Sequence, residues 1–431
     1  MTAYQVTDEL SLWWLGQPDR PVLVGTLRLI RANSGVSLQY SPDWLRKGFP
    51  LSEDLPLTSD EKFPVVRQTA VGAVDDARPD RWGERVIRFI DKPPRLSLLE
   101  YLYFTGDERF GALGVSTTAK AYVPQSSGPL PRLADVEEIR ALVRKVEANE
   151  PVPQSKRRLI APGTTLGGAG PKALIEMDGR QWLVKFAELG ETTDAPLIEH
   201  ACMTLAAEAH IRVAKTLPVP LKRGHAVAVL RFDREASGGR IRRMHGQSAF
   251  VALRAEGSEM GYPELAQLLR RRGPVEGGVA KAHMRELFRR MVFNILMDNT
   301  DDHEKNHVLL MNDAQHLLLA PAFDVLPTAQ ALGYQQMRVG TTANDSTVTN
   351  ALSEASLFGL SSAEAMAEAV KVAAVCARWK RHFAHVGVSD RDLEHLSRFI
   401  DREFLAAQRA ELTKPASLKP RGRKTARGPS A

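Results

Sequence analysis

The sequence predicts an α+β protein in which a strand-rich stretch precedes a helix-rich one, with a small hairpin-containing module ahead of both. Three features carry that expectation. The 431 residues exceed what one hydrophobic core organises, so two or three domains are implied. Short apolar runs punctuated by turn residues dominate as far as residue 230. Beyond it, apolar residues recur at spacings of three and four over long segments, the period of amphipathic helices. With 43% hydrophobic and 25% charged residues, the composition is that of a globular chain and excludes a fibrous or low-complexity one.

In chain order, residues 21–29 read as a strand, Ser34-Gly35 as a turn and 36–40 as a second strand. Helices are expected over 81–90 and 96–104, followed by a glycine-containing segment, 106–115, and a Pro/Ser/Gly linker, 124–131. The first module is therefore bounded at 1–123. A charged amphipathic helix over 134–147 opens the next unit, 132–230. Within it, strands over 173–177 and 181–186 flank an Asp178-Gly179 turn, which leaves Lys185 at the end of a hairpin. Asp194 suits an N-cap with Pro196 in the first turn of the following helix. Glu199, Cys202, Met203 and Ala206 share one face of that helix, so a carboxylate is turned inward. A short strand over 227–230 runs into Arg231-Phe232-Asp233. The third unit, 231–413, is helical, with periodic segments at 262–271, 281–297, 362–384 and 390–410.

The formal charge is +7, yet six cations and no acid lie from Lys414 onward, and removing those six leaves +1 for the rest. The basic excess thus belongs to a Pro-, Gly- and Arg-rich tail, 414–431, expected to be disordered, and is no argument for a nucleic-acid-binding body. Cys202 and Cys376 sit in Ala-rich apolar surroundings and read as reduced core thiols, which points to the cytoplasm. No apolar run approaches the roughly 18 residues of a membrane span. Asp8 and Glu9 ahead of the first apolar patch do not suit a secretion signal.

The densest polar stretch is Asp298-Asn299-Thr300-Asp301-Asp302-His303-Glu304-Lys305-Asn306-His307, between a helix ending near Met297 and a strand over 308–311. An Asn312-Asp313 turn and a return strand over 316–319 lead to Pro321-Ala322-Phe323-Asp324. The hairpin brings its two ends together, so Asp301, Asn306 and Asp324 are expected in one place. Phosphoryl transfer from ATP calls for that set: an aspartate beside the substrate hydroxyl, and an amide oxygen and a carboxylate for Mg²⁺. The spacing Asp301-x4-Asn306 equals that of the protein-kinase catalytic loop. Two other readings stay open at this point. One is a solvated, helix-capping loop; the other is a hydrolytic metal site on Asp301, Asp302, His303 and His307, for which further ligand segments are lacking.

Upstream, Thr164-Thr165-Leu166-Gly167-Gly168-Ala169-Gly170-Pro171-Lys172 is a polar, glycine-rich loop whose backbone N–H groups can face phosphate oxygens. Lys185 could then reach the α/β-phosphates, with Glu199 orienting it. Taken alone the loop is weak, since it matches neither Gly-x4-Gly-Lys-Ser/Thr nor Gly-x-Gly-x-x-Gly. Order along the chain gives it meaning: loop, lysine, acid, short strand, helices, Asp/Asn loop, hairpin, Asp. That is the order of a protein kinase, and it predicts a two-lobed protein-kinase-like fold with a strand-rich N-lobe and a helical C-lobe.

At these residues the sequence resembles the HipA-type kinases, toxins of bacterial type II toxin–antitoxin pairs. Val24-Gly25-Thr26-Leu27 and 51–57 are similar to the family's N-terminal module, 106–115 to its junction and 165–172 to its loop. More specific are Arg231-Phe232-Asp233-Arg234 and the run from Thr300 to Asn306, whose Asp-x-His-x-Lys-Asn precedes a hairpin and an aspartate that follows an aromatic residue. The resemblance implies Asp301 as catalytic base, Asn306 and Asp324 as Mg²⁺ ligands and Lys185 as the phosphate-contacting lysine. It further implies an ATP site taking in Gly167, Gly168, Ala169, Gly170, Pro171 and Lys172, the hinge residues Leu230, Arg231 and Phe232, and His303, Glu304, Lys305 and Phe323.

The family's loop hydroxyl can be autophosphorylated, which here implies Thr165 or its neighbour Thr164. A phosphate there adds about −1.5 to −2 charges where those of ATP must sit. Family members commonly carry Ser at this position and more polar residues where this chain has Gly170-Pro171. The resemblance also implies a cytoplasmic serine/threonine protein kinase associated with persistence, acting on a translation-related protein such as an aminoacyl-tRNA synthetase. A small helix-turn-helix antitoxin of the HipB kind is the implied partner, with operator DNA met only through that complex and no membrane involved. The rival functions are a catalytically silent kinase-fold platform or corepressor and a small-molecule kinase.

Overall fold

The computed structural model describes residues 4–125, 128–160, 170–237 and 240–414. The N-terminal module is built on an antiparallel sheet of β1 (Glu9–Trp14), β2 (Val22–Ile30), β3 (Gly35–Tyr40) and β4 (Leu113–Ser116), in the order β3-β2-β1-β4. Leu10, Leu12, Leu27, Val36 and Leu38 turn inward and pack with Leu99 and Leu102 of the helix Leu98–Phe104. At Gly25, opposite Tyr40, a Cβ would stand 2.1 Å from the Gln39 carbonyl oxygen, so the close approach of β2 to β3 there admits only glycine. β1 and β4 are absent from the sequence expectations. β4 spans only Leu113–Ser116, and its partner lies far away along the chain, so a local pattern does not reveal it.

A second sheet carries β5 (Lys172–Met177), β6 (Arg180–Phe186), β7 (Thr216–Pro220) and β8 (His225–Leu230), in the order β5-β6-β8-β7. Alternate side chains serve opposite faces. Ala173, Ile175, Trp182 and Val184 pack against the helix Val136–Glu147 and against Trp82 and Val86 of the helix Arg81–Val86. Leu174, Leu183, Val227 and Val229 meet Ile198 and Cys202 of the helix Ala195–Glu208. The helix expected over 81–90 is α-helical only to Val86 and finishes in a π turn, Ile87–Asp91, closed by Lys92 at φ 46°. Asp194 occupies the N-cap position of its helix, but its side chain is taken by His225 Nδ1 at 2.6 Å and does not cap.

The hairpin of β9 (Arg234–Ser237) and β10 (Arg240–Arg243) leads into a three-stranded sheet of β11 (Gly246–Ser248), β12 (Val308–Met311) and β13 (Leu317–Leu319). The helical lobe is organised around Val279–Leu296, which packs against Tyr262–Arg272 and Ser362–Cys376. Two segments expected to be single helices are broken. The first divides into Ser362–Cys376 and Trp379–Val386, the second into Asp390–Ile400 and Glu403–Thr413. No Gly or Pro marks either break; the side chains cross-tie the ends instead. Asp401 Oδ1 accepts from Trp379 Nε1 at 2.9 Å and from Arg409 Nη2 at 2.8 Å, while Arg409 Nη1 donates to the Ile400 carbonyl at 2.7 Å. Tertiary bonding here overrides the 3.6-residue period. Cys202 and Cys376 are buried free thiols, and no helix among the described residues is long and apolar enough to cross a membrane.

Candidate functional site

Lys172 and Lys185 stand directly opposite each other in the β5–β6 register, so their side chains leave the same sheet face, the one that meets the helix Ala195–Glu208. Like charges so placed repel. Carboxylates from three separate elements offset them. Lys185 Nζ lies 2.8 Å from Glu199 Oε1 and 2.6 Å from Asp324 Oδ1, and Lys172 Nζ pairs with Asp80. Burial alone would lower the Lys185 ammonium, but Asp324 and Glu199 outweigh it and hold the group above its ordinary range. Burial pushes Glu199 up against the pull of Lys185. Asp324 ends below the usual carboxylate range, because Lys185 outweighs the cost of its burial. Asp324 also sits at φ 59°, left-handed backbone that a non-glycine residue adopts at a cost and that clusters at functional sites.

The loop after the helix Val279–Leu296 is pinned at its start. Asp298, at φ 55°, forms an ion pair with Arg402 at 3.0 Å, and its carbonyl accepts from Thr328 N at 3.0 Å and Thr328 Oγ1 at 2.9 Å. The two aspartates that follow diverge. Asp302 turns inward, where it is bonded by Tyr262 Oη, by Asn294 Nδ2 at 2.7 Å and by His307 Nε2 at 2.8 Å. Asp301 is exposed and faces the cleft, its carboxyl raised by partial burial and by the nearby Asp324 despite His303. Asn306 donates from Nδ2 to the Asp301 carbonyl at 3.4 Å, and its Oδ1 is buried with no hydrogen-bond partner.

These groups converge on a cleft of about 560 Å³ lined by Gly170, Pro171, Lys172, Lys185, Glu199, Asn299, Asp301, Asn306 and Asp324, with Pro327, Thr328 and Gln330 along the rim. Other sequence candidates lie elsewhere. Arg231 does not turn into the cleft. Its guanidinium is bound to Asp233 at 2.8 Å and to the carbonyls of Glu108 at 2.8 Å and Arg109 at 3.1 Å, facing the N-terminal module. Phe232 and Phe323 pack on each other with ring centroids 5.4 Å apart, and Leu230 is paired with Trp182 across the sheet. Lys305 holds its ammonium 5.0 Å above the Phe250 ring, outside the cleft lining, as are His303 and Glu304. Thr164, Thr165, Gly167, Gly168 and Ala169 lie outside the described residues.

An amide oxygen buried without a partner beside a carboxylate is the hard oxygen donor set that Mg²⁺ takes, with phosphate oxygens and water completing the shell. The cleft therefore fits a magnesium-bound phosphate. The hydrolytic metal site does not fit, since Asp302 and His307 are bonded to each other in the core. Among the described residues, no three His, Cys, Asp or Glu side chains are grouped to hold a metal. Sequence reasoning missed Asp80 and Asn299. Asp80 carries one legible signal, its place as N-cap ahead of Arg81, where its side chain accepts from Gly83 N at 2.8 Å.

A sheet lobe and a helical lobe, with a doubly paired lysine, an Asp-x4-Asn loop and an aspartate beyond a hairpin at their cleft, define a kinase-like two-lobed fold. Residues 164–379 match the HipA-like C-terminal domain and residues 20–116 the HipA N-terminal domain. The chain belongs to the HipA family. Among solved structures it is similar in fold to HipA of Shewanella oneidensis MR-1, determined with HipB and its operator DNA. The identity is 18% and the TM-score 0.62, over 93% of this chain and 97% of that one. The Helicobacter pylori proinflammatory kinase CtkA aligns at 14% identity and TM-score 0.41, over 57% of this chain and 91% of that one. A search of the curated proteins returns no match.

Proposed function

We propose that this chain is an ATP- and Mg²⁺-dependent protein kinase that phosphorylates serine or threonine hydroxyls and acts as the toxin of a toxin–antitoxin pair. The observation that carries this reading is the cleft itself. A lysine held by two carboxylates, an exposed aspartate with a raised carboxyl and an unpartnered buried amide oxygen face one another there.

In this reading Lys185, held in place by Glu199 and Asp324, meets the α/β-phosphates of ATP, and Lys172 adds a second cation at the same end of the cleft. Asn306 and Asp324 would hold Mg²⁺, which when bound neutralises phosphate charge. Asp301 accepts the proton of the substrate hydroxyl as that oxygen bonds to the γ-phosphorus and ADP departs. A carboxyl raised above its usual range is the stronger base. The outward turn of Asp301 leaves it open to a protein segment, whereas its neighbour Asp302 is sealed by Tyr262, Asn294 and His307.

The Shewanella oneidensis HipA assembles with HipB and operator DNA. By analogy we assign this chain a small helix-turn-helix antitoxin, with DNA reached through that complex. A translation-related protein, such as an aminoacyl-tRNA synthetase, is its target class. The test is transfer of γ-labelled phosphate from ATP into proteins of a cell lysate, with wild type and with Asp301→Asn. Label that appears on a protein band and disappears in the variant supports the kinase. Absence of label on any protein overturns it, and label found only on small molecules overturns the protein-substrate assignment.

A further inference from the structure

The two opposed lysines find their carboxylates in different parts of the chain. Lys185 takes Glu199 and Asp324, both within the lobes. Lys172, 2% exposed, takes Asp80 of the N-terminal region, 92 positions earlier. The two oxygens of Asp80 have separate tasks: Oδ1 accepts from Gly83 N at 2.8 Å and caps the helix Arg81–Val86, while Oδ2 pairs with Lys172 Nζ. Two residues on, Trp82 Nε1 donates to the Lys172 carbonyl at 2.8 Å, so backbone and side chain of this lysine are held by the same short helix. Four residues before Asp80, Asp76 reaches the helical lobe, accepting from Ser248 N at 2.6 Å and Ser248 Oγ at 2.7 Å where the helix Ala249–Glu256 begins. The stretch 76–82 thus bonds to the sheet lobe at Lys172 and to the helical lobe at Ser248.

We propose that Asp80 is a positioning residue for phosphoryl transfer, fixing the Lys172 ammonium at the phosphate end of the cleft so that the N-terminal module completes the nucleotide site. This rests on the kinase reading above. Burial pushes the Lys172 ammonium down and the Asp80 carboxyl up, and each offsets the other, so neutralising Asp80 removes a carboxylate on which the Lys172 ammonium is aimed. The phosphate oxygens of ATP then meet a cation that is less well placed.

Asp80→Asn separates the two tasks, because Asn caps a helix about as well as Asp but carries no charge. Assayed at a temperature where circular dichroism shows the variant folded, it should raise the KM for ATP about ten- to a hundredfold, the range expected for one charge-assisted contact, with kcat changed far less. Lys172→Met should do the same, and the Asp80→Asn/Lys172→Met double variant should be no worse than Lys172→Met alone. Asp80→Glu, which restores the charge, should recover part of the loss. A KM for Asp80→Asn within twofold of wild type, or additive losses in the double variant, overturns the proposal while leaving the kinase reading intact. A wild-type chain that transfers no phosphate, and binds no non-hydrolysable ATP analogue by calorimetry, overturns the kinase reading and this proposal with it.

Discussion

Two polar clusters adjoin the sheet of β5 to β8, one beyond the end of β8 at Arg231 and Asp233 and one at Lys185 of β6, to opposite effect. At the junction with the N-terminal module, Asp233 is fully buried and every oxygen is engaged. Oδ1 accepts from Arg231 Nε at 2.9 Å, and Oδ2 from Arg231 Nη2 at 2.8 Å, Arg234 Nη1 at 2.7 Å and Gly111 N at 2.8 Å. Burial would raise its carboxyl, but Arg231 and Arg234 outweigh that and hold it well below the usual range. In the cleft, Asn306 Oδ1 has no partner, Asp301 is open and its carboxyl is raised. Buried charge that is saturated fixes a structure, whereas an unpartnered amide oxygen and an open carboxylate at a cleft leave bonding capacity for a ligand. The contrast repeats at single-residue scale between Asp302, saturated, and Asp301, open.

The sharpest way to test the contrast is to neutralise one acid from each cluster. Asp301→Asn should lower phosphate transfer by about 10²–10⁴-fold, the usual contribution of a positioned general base, with no loss of melting temperature. A fall in melting temperature comparable to that of a junction variant would place Asp301 among the saturated groups. Asp233→Asn should do the reverse, costing about 3–5 kcal/mol in denaturant unfolding by leaving buried guanidinium groups without their carboxylate, while the folded fraction keeps its activity.

Acid should then separate the clusters by sign. Asp233 has a depressed folded pKa, so its stabilisation is complete above the unfolded value of about 3.9 and is lost as pH falls toward the folded one; Asp233→Asn should flatten that acid limb of stability. Asp301 has a raised folded pKa and must be ionised to accept a proton, so activity should fail on the acid side while the fold is still intact, at a pH above about 3.9. Coincident loss of rate and structure would erase the distinction. The smallest effect is expected at Lys305, which lies over Phe250 and outside the cleft: Lys305→Ala should change the KM for ATP by less than about twofold, on the scale of an exposed cation–π contact.

Much of the site was legible because its parts are local. The β5–β6 and β12–β13 hairpins are announced by short apolar runs and by Asp-Gly or Asn-Asp turns, and the inward face of Glu199 by helical spacing. Since a hairpin returns the chain to its start, the meeting of Asn306 with Asp324 could be read without coordinates. Other features depend on contacts between distant segments. The pairing of β1 with β4, the breaks beside Arg378 and Asp401, and the bond from Asp80 to Lys172 leave no periodic trace. Nor do two adjacent aspartates differ in sequence; only the positions of Tyr262, Asn294 and His307 decide that Asp302 is turned inward and Asp301 outward.

The first hundred or so residues supply acceptors that the remainder of the protein cannot replace. Arg243 Nη1 donates to the Asp107 carbonyl at 2.6 Å, and His245 Nε2 and Gln247 Nε2 both bond the Leu51 carbonyl, at 2.9 and 3.0 Å. A truncated version beginning near residue 132 would leave these donors without their acceptors and strip Trp82 from the sheet of β5 to β8. For this protein the segment ahead of the linker is no detachable cassette: recombinant work should keep the polypeptide whole, and a fragment prepared without that segment should aggregate rather than report weak catalysis.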